Sequence, residues 1–151
     1  MNTVEQVFND LTIAPSRAKL LSLQEYCNQH GHVVEGTNPC VTKEYFAPGV
    51  YCREIFMPAG ELVLGKIHKH AHLNTILCGR AIVATEFGVE EIVAGTFISP
   101  PGTKRALVIV EDMIWTTYHP NPNNETDPAV LEEFVIAKTY EELDIFLGGV
   151  E

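Results

Sequence analysis

Residues 60–79 read GELVLGKIHKHAHLNTILCG, with His68, His70 and His72 at every second position. These are three of the six histidines in the chain. In an extended strand, residues at i, i+2 and i+4 point to one face. The three imidazoles therefore crowd one side of one strand. Histidine has no particular preference for strands, so such a row reads as the lining of a pocket. Lys69 has the opposite parity and reads as a solvated side chain.

On both sides of this stretch the chain is strand-like. Runs rich in Val, Ile, Tyr, Phe and Thr cover 41–46, 50–58, 62–70, 74–77, 80–87, 90–93, 96–99, 104–110 and 114–119. Each is stopped by turn-forming or polar residues, the pattern of an antiparallel sandwich or barrel. Phe87-Gly88-Val89 and Glu111-Asp112 read as tight hairpins. The stretch PNPNNETDP at 120–128 is a loop by composition.

The ends read as helical. Thr3 and Gln6 form a capping box that opens a short helix to about Leu11, and Pro15 breaks it. Ser16 caps a second helix, with Leu20, Leu21, Leu23 and Tyr26 on its apolar side and Gly31 at its end. His30 and His32 flank that glycine and read as solvated turn residues. Residues 131–138 suit a strand or a short helix. Thr139 and Glu142 make a second capping box, opening a short helix that Gly148 closes. This is one domain over 1–151, with a helical segment at 1–32, a strand-rich body at 33–120, and an acidic loop and C-terminal segment at 121–151.

With 151 residues and 46% hydrophobic residues, the chain can bury one core. Its net charge of −10 opposes binding to nucleic acid or to an anionic membrane, although a cationic pocket can exist inside an acidic shell. No apolar run approaches the ~20 residues that span a bilayer. Cys27, Cys40, Cys52 and Cys78 include no C-x2-C pair, and no signal peptide precedes them. The expectation is reduced thiols in a soluble, cytoplasmic protein.

The stretch 60–79 also resembles the first motif of the cupin superfamily (RmlC-like jelly rolls), G-x5-H-x-H-x3-E-x6-G. Gly60 and Gly79 fall in register, and Lys66, His68 and His72 take the three ligand positions. The second motif, G-x5-P-x-G-x2-H, is matched by Gly95, Pro100, Gly102 and Arg105, with one residue fewer between Gly95 and Pro100. The resemblance implies an all-β fold, a cupin-type antiparallel jelly-roll barrel with short helices at the N- and C-termini. It also implies a homodimer paired by sheet extension, for which 41–46 offers an edge strand. The runs GKIHKxxH at 65–72, SPPGTKR at 99–105 and WTTxHP at 115–120 are similar to a cupin-like group of bacteriophage and bacterial proteins. That likeness assigns no reaction, and implies the host cytoplasm if the chain is phage-encoded.

The family's four ligand positions are His, His, Glu and His, whereas here they hold Lys66, His68, His72 and Arg105. Arginine, always protonated and without an acceptor, is no metal ligand. On a straight strand, His68 and His72 lie about 13 Å apart, too far for one ion. The resemblance implies a bend between them, and it lays the strand ending at His119 beside the one carrying His72. A divalent metal (zinc, iron, nickel or manganese) on His68, His72 and His119 follows as one reading, with His70 as a fourth ligand or a bend residue. The other reading is metal-free. Lys66 and Arg105 bind an anionic small molecule, His68 or His72 acts as base, and Tyr118 or Tyr45 as acid. Tyr118 and Trp115 complete the candidate ligand-binding set. Against these stand blander roles: Arg105 paired with Glu54 or Glu61, Trp115 in the core, Tyr118 facing out. A non-catalytic phage structural or host-interaction module is the third class.

Overall fold

A computed structural model describes residues 4–30, 33–34 and 39–148. The elements, in chain order, are α1 (Val4–Ile13), α2 (Arg17–His30), β1 (Val33–Val34), β2 (Val41–Ala47), β3 (Gly49–Met57), β4 (Leu62–Leu64), β5 (Ile67–His68), β6 (His72–Thr85), β7 (Gly88–Ile92), β8 (Gly95–Ser99), β9 (Ala106–Asn121), α3 (Pro128–Val135), β10 (Ile136–Ala137) and α4 (Tyr140–Gly148). Thr3, Gly31 and His32 lie outside the described residues. Among the described residues no helix is long and apolar enough to cross a membrane.

The sheet is organised around β9, which pairs antiparallel with β3 and β4 and, over much of its length, with β6. β2 extends the sheet from β3, while β7 and β8 pair with β6. β1 adds a short parallel pair to β4. This is the antiparallel jelly-roll expected, although among the described residues the hydrogen bonding does not close into a barrel. Alternation divides the side chains between two layers. Val63 enters an inner core with Ile55, Met57, Ile76, Leu107, Met113 and Trp115. Leu62 and Leu64 face the other way, onto Phe8 and Leu11 of α1 and Leu20, Leu23 and Cys27 of α2. Leu21, expected on the apolar side of α2, is exposed.

The expected caps form where they are described. Ser16 Oγ accepts from the Lys19 N–H at 3.2 Å, and Thr139 Oγ1 accepts from the Glu142 N–H at 3.1 Å. Asp127 caps α3 through the Ala129 N–H at 3.0 Å, so 131–138 resolves into the end of α3 followed by β10. Arg17 bonds Glu86 at 2.9 Å and Asp144 at 2.7 Å, tying α2 to the β6–β7 hairpin and to α4.

Several strand boundaries differ from expectation. The run 62–70 is two strands, β4 and β5, separated at Gly65-Lys66. The buried ammonium of Lys104 holds that break, donating to Gly65 O at 2.6 Å and to Gln24 Oε1 of α2 at 3.0 Å. The runs 74–77 and 80–87 are one strand, as are 104–110 and 114–119, so Glu111-Asp112 is no hairpin. The β6–β9 pairing instead takes up register shifts between Ile76 and Ala81 while β9 continues through Asp112. Gly79 permits this at φ +96°, where an added Cβ would lie 2.4 Å from Asp112 O. The β6–β7 turn is at Glu86-Phe87, one residue earlier than expected, with the Phe87 N–H donating to Thr85 Oγ1 at 3.1 Å.

Candidate functional site

Strand register arranges the inner face of the sheet in successive rows. At the open end His72 stands opposite Ser99, His119 opposite Tyr51, and Tyr51 opposite Phe46. The next row runs Phe97, Asn74, Thr117, Arg53 and Glu44. The one after it contains Ile76, Trp115 and Ile55 and begins the apolar floor. Chemistry is thus graded along the face, from imidazoles and a phenol, through ions and amides, to hydrocarbon.

His68 joins the first row from β5. Its N–H donates to Thr103 O at 3.0 Å, and its carbonyl accepts from the Gly102 N–H at 2.7 Å. The turn that resembles the second cupin motif therefore holds the strand that carries the first. The chain bends over Lys69–Ala71, and this brings the His68 and His72 rings to 4.6 Å between centres, far inside the straight-strand separation. His119 lies 6.0 Å from His68 and 5.1 Å from His72. All three are buried, at 5%, 4% and 4% exposure.

The donor chemistry of this trio suits a divalent metal. A bound imidazole nitrogen at ~2.0 Å sets its ring centre about 3 Å from the ion, so two such ligands have centres about 4.5–6 Å apart. The observed separations fall in that interval. The Nδ1 atoms of His68 and His72 face the carbonyls of Thr103 at 3.3 Å and His70 at 3.1 Å. A carbonyl only accepts, so both Nδ1 atoms carry hydrogen, and in the neutral rings both Nε2 atoms carry the lone pair. This is the outer-shell arrangement that orients metal-bound histidines. Burial and the neighbouring His72 and His68 push the His119 pKa down to about 3, so this ring stays neutral. Ring orientation is the difference from a formed site. The His68 and His119 planes lie 8° apart, and among the described residues no three His, Cys, Asp or Glu side chains converge as a metal group.

His70 does not join the trio. Its ring packs 4.9 Å from Phe134 of α3 and 5.1 Å from Phe146 of α4. Lys69 is not solvated. Its ammonium donates to Glu133 O at 2.7 Å and lies 5.6 Å from the centre of the Phe146 ring. Tyr118 and Tyr45 face outward in the row Ile98, Leu73, Tyr118, Cys52, Tyr45, so the phenol at the site is that of Tyr51. Burial, then Glu44, raises the Tyr51 pKa to about 12 and keeps its hydroxyl protonated.

Arg105 is buried with its guanidinium 4.9 Å from the centre of the Trp115 ring and 5.9 Å from that of Phe97. It donates to Ser99 Oγ, which also accepts from Asn74 Nδ2 at 2.8 Å, while Trp115 Nε1 donates to Asn74 Oδ1 at 2.9 Å. Trp115 is thus both core residue and hydrogen-bond partner. Glu54, one of the acidic partners expected for Arg105, faces the outer side of β3, since its neighbours Arg53 and Ile55 line the inner cavity. Lys66 turns toward α3 and pairs with Glu132 at 2.5 Å.

Three cavities adjoin the trio: an open one on the side of His72, Tyr118 and His119, and two that share lining residues, an outer and an inner. The outer, about 140 Å³, lies between Tyr51, Arg53, Lys66, His68, Thr117 and His119 on one side and α3 on the other. The inner, about 30 Å³, is walled by Ile55, Met57, Leu107, Trp115 and Arg105, and shares Arg53, Lys66, His68 and Thr117 with the outer. Sequence reasoning missed Tyr51 and Arg53, although a readable signal existed. Tyr51, Arg53, Ile55 and Met57 alternate on one parity, and a cation in such a row is out of place. Nothing comparable marks Glu132, which reaches the cavity from a segment read as peripheral.

No protein-family model matches the sequence, and no curated protein does. Among solved structures, a salicylate 1,2-dioxygenase from Pseudaminobacter salicylatoxidans aligns with a TM-score of 0.52 at 12% identity, over 78% of this chain and 35% of its own. Its adduct with gentisate aligns at 0.52 and 14% identity, over 89% and 38%. An RmlC-like cupin from Shewanella frigidimarina aligns at 0.47 and 16% identity, over 61% and 86%. This chain spans about a third of the length of the dioxygenase chains. Likeness at such identity is likeness of fold.

Proposed function

We propose that this chain, whose antiparallel fold is similar to that of the salicylate dioxygenase, uses its inner sheet face as a small-molecule pocket of cupin type, in which His68, His72 and His119 hold one divalent metal ion beside a seat for an anionic ligand. The carrying observation is the mutual approach of three buried imidazoles within 6.0 Å. His68 and His72 would offer Nε2, and His119 its free lone pair as a neutral ring. Zinc, iron, nickel and manganese all accept such donors. A bound ion would supply Lewis-acid polarisation of a ligand oxygen.

The chain's own residues would do the rest. Arg53 and Lys66 draw an anion into the outer cavity. Arg105 adds positive charge at the inner chamber, where Ile55, Met57, Leu107 and Trp115 limit water. The Tyr51 hydroxyl, held protonated, is a hydrogen-bond donor beside His119. The metal-free reading has one observation in its favour, the near-parallel His68 and His119 rings. Elemental analysis of protein purified without an affinity tag or chelator separates the two. About one equivalent of metal, lost in His68→Ala, is the expected result. No metal in either protein, even after reloading, would leave a metal-free anion pocket.

A further inference from the structure

We propose that the outer cavity is a carboxylate site whose resident occupant is the side chain of Glu132, and that a small apolar carboxylic acid binds by replacing Glu132 on Lys66, on the cavity wall that Arg53 shares. This rests on the pocket reading above but not on its metal. Arg53 and Lys66 line the sheet side of the cavity together with Glu44, which stands opposite Arg53 in the β2–β3 pair, and α3 brings the Glu132 carboxylate onto Lys66 from the roof. The Lys66 ammonium contacts Glu132 Oε1 at 2.5 Å. The hydrogen bond and charge of Lys66 hold the Glu132 carboxyl below its ordinary pKa, with a smaller contribution from the charge of Arg53.

The occupant is built to be replaced. Its side chain is 54% exposed and that of Lys66 39% exposed, and ion pairs this wet contribute little. α3 does not depend on it. The helix is capped by Asp127, buried through Leu131 and Val135, and tied to the bend after β5 by the Lys69 ammonium on Glu133 O. Glu132 can therefore swing away while its helix stays in place. An incoming carboxylate would take the Lys66 ammonium in a cavity whose wall also carries the charge of Arg53.

The remaining wall sets the rest of the ligand. Pro128, Leu131, Val135 and Ile136 form an apolar roof, and the connected inner chamber adds Ile55, Met57, Leu107 and Trp115. At about 140 Å³ the outer cavity is well below the ~300–1,000 Å³ of drug-sized ligand sites. The acid is therefore small, with an apolar body behind its charged end.

The test is calorimetric titration of the full chain with sodium benzoate, benzamide and inorganic phosphate. Wild type is compared with Glu132→Gln, Lys66→Gln and, as a charge control, Glu133→Gln. Benzoate should bind wild type, and benzamide and phosphate should not. Glu132→Gln should tighten benzoate about 3–10-fold, Lys66→Gln should weaken it at least about tenfold, and Glu133→Gln should change nothing. Unchanged or weaker benzoate binding in Glu132→Gln overturns the proposal, as do equal binding of benzamide, preference for phosphate, or no benzoate binding to wild type and Glu132→Gln alike. Metal content measured on the same samples keeps the two ideas apart. Metal with no Glu132→Gln effect removes this proposal alone, and a benzoate gain without metal removes only the metal.

Discussion

The histidine trio on the inner sheet face and the clamp around His70 adjoin each other and are built differently. His68, His72 and His119 are brought together by backbone pairing: β5 to the 102–103 turn, β6 to β8, and β9 to β3. His70 leaves that framework at the bend and is fixed by side chains from two helices, Phe134 and Phe146. Two residues of separation along one strand would have put His70 and His72 on one face, and the bend cancels that. Sheet register makes a site that tolerates little movement. A clamp of packed rings joins the bend to the roof.

Metal content should divide the two regions most sharply. His72→Ala should lose nearly all bound metal, whereas His70→Ala should keep it and lower stability by about 1–2 kcal/mol through lost ring packing. Equal metal loss in both would put His70 among the ligands and dissolve the distinction; elemental analysis beside thermal melts decides it.

Backbone substitutions probe how much strain the sheet framework accepts. Gly79→Ala places a Cβ 2.4 Å from Asp112 O and 2.6 Å from Met113 Cα at positive φ, and should cost about 3–5 kcal/mol. Gly60→Ala, at φ +90° with nothing within 4 Å, should cost only about 1–2 kcal/mol. Denaturant titration giving the two similar costs would mean that β6 can shift off β9 at the bulge.

The acid limb of stability offers a finer probe, read on metal-free protein. In the unfolded chain His119 takes up a proton near 6.5, while in the fold burial and then His72 and His68 hold its pKa at about 3. The unfolded state therefore binds more protons between these values, and stability falls as pH drops from 6.5 toward 3. His119→Gln should make that fall shallower. An identical slope would assign the acid sensitivity to other groups.

The alternation of apolar residues and the glycine spacing determined the strand-rich body, whereas they offered Tyr118 both as a ligand-binding residue and, by its parity opposite to His119, as an outward one, and pairing selects the outward role. Alternation and spacing depend on neighbours one to seven residues away, and period 2 or a capping box records them directly. Where pairing overrode local signals, the sequence misled. Glu111-Asp112 looks like a turn, but β9 is held on both sides there or nearby, and Gly79 absorbs the mismatch. The resemblance to the cupin motifs supplied the convergence of His68, His72 and His119, which no straight-strand argument could reach.

What only the tertiary structure decided is the company these residues keep. Arg105 stacks on Trp115, Arg53 faces the cavity, and Glu132 arrives from α3 to meet Lys66. Lys66 and Glu132 are 66 residues apart. No local periodicity encodes a contact between a break in a strand and one face of a later helix. It follows from β10 pairing with β5, which swings α3 over the open end of the sheet.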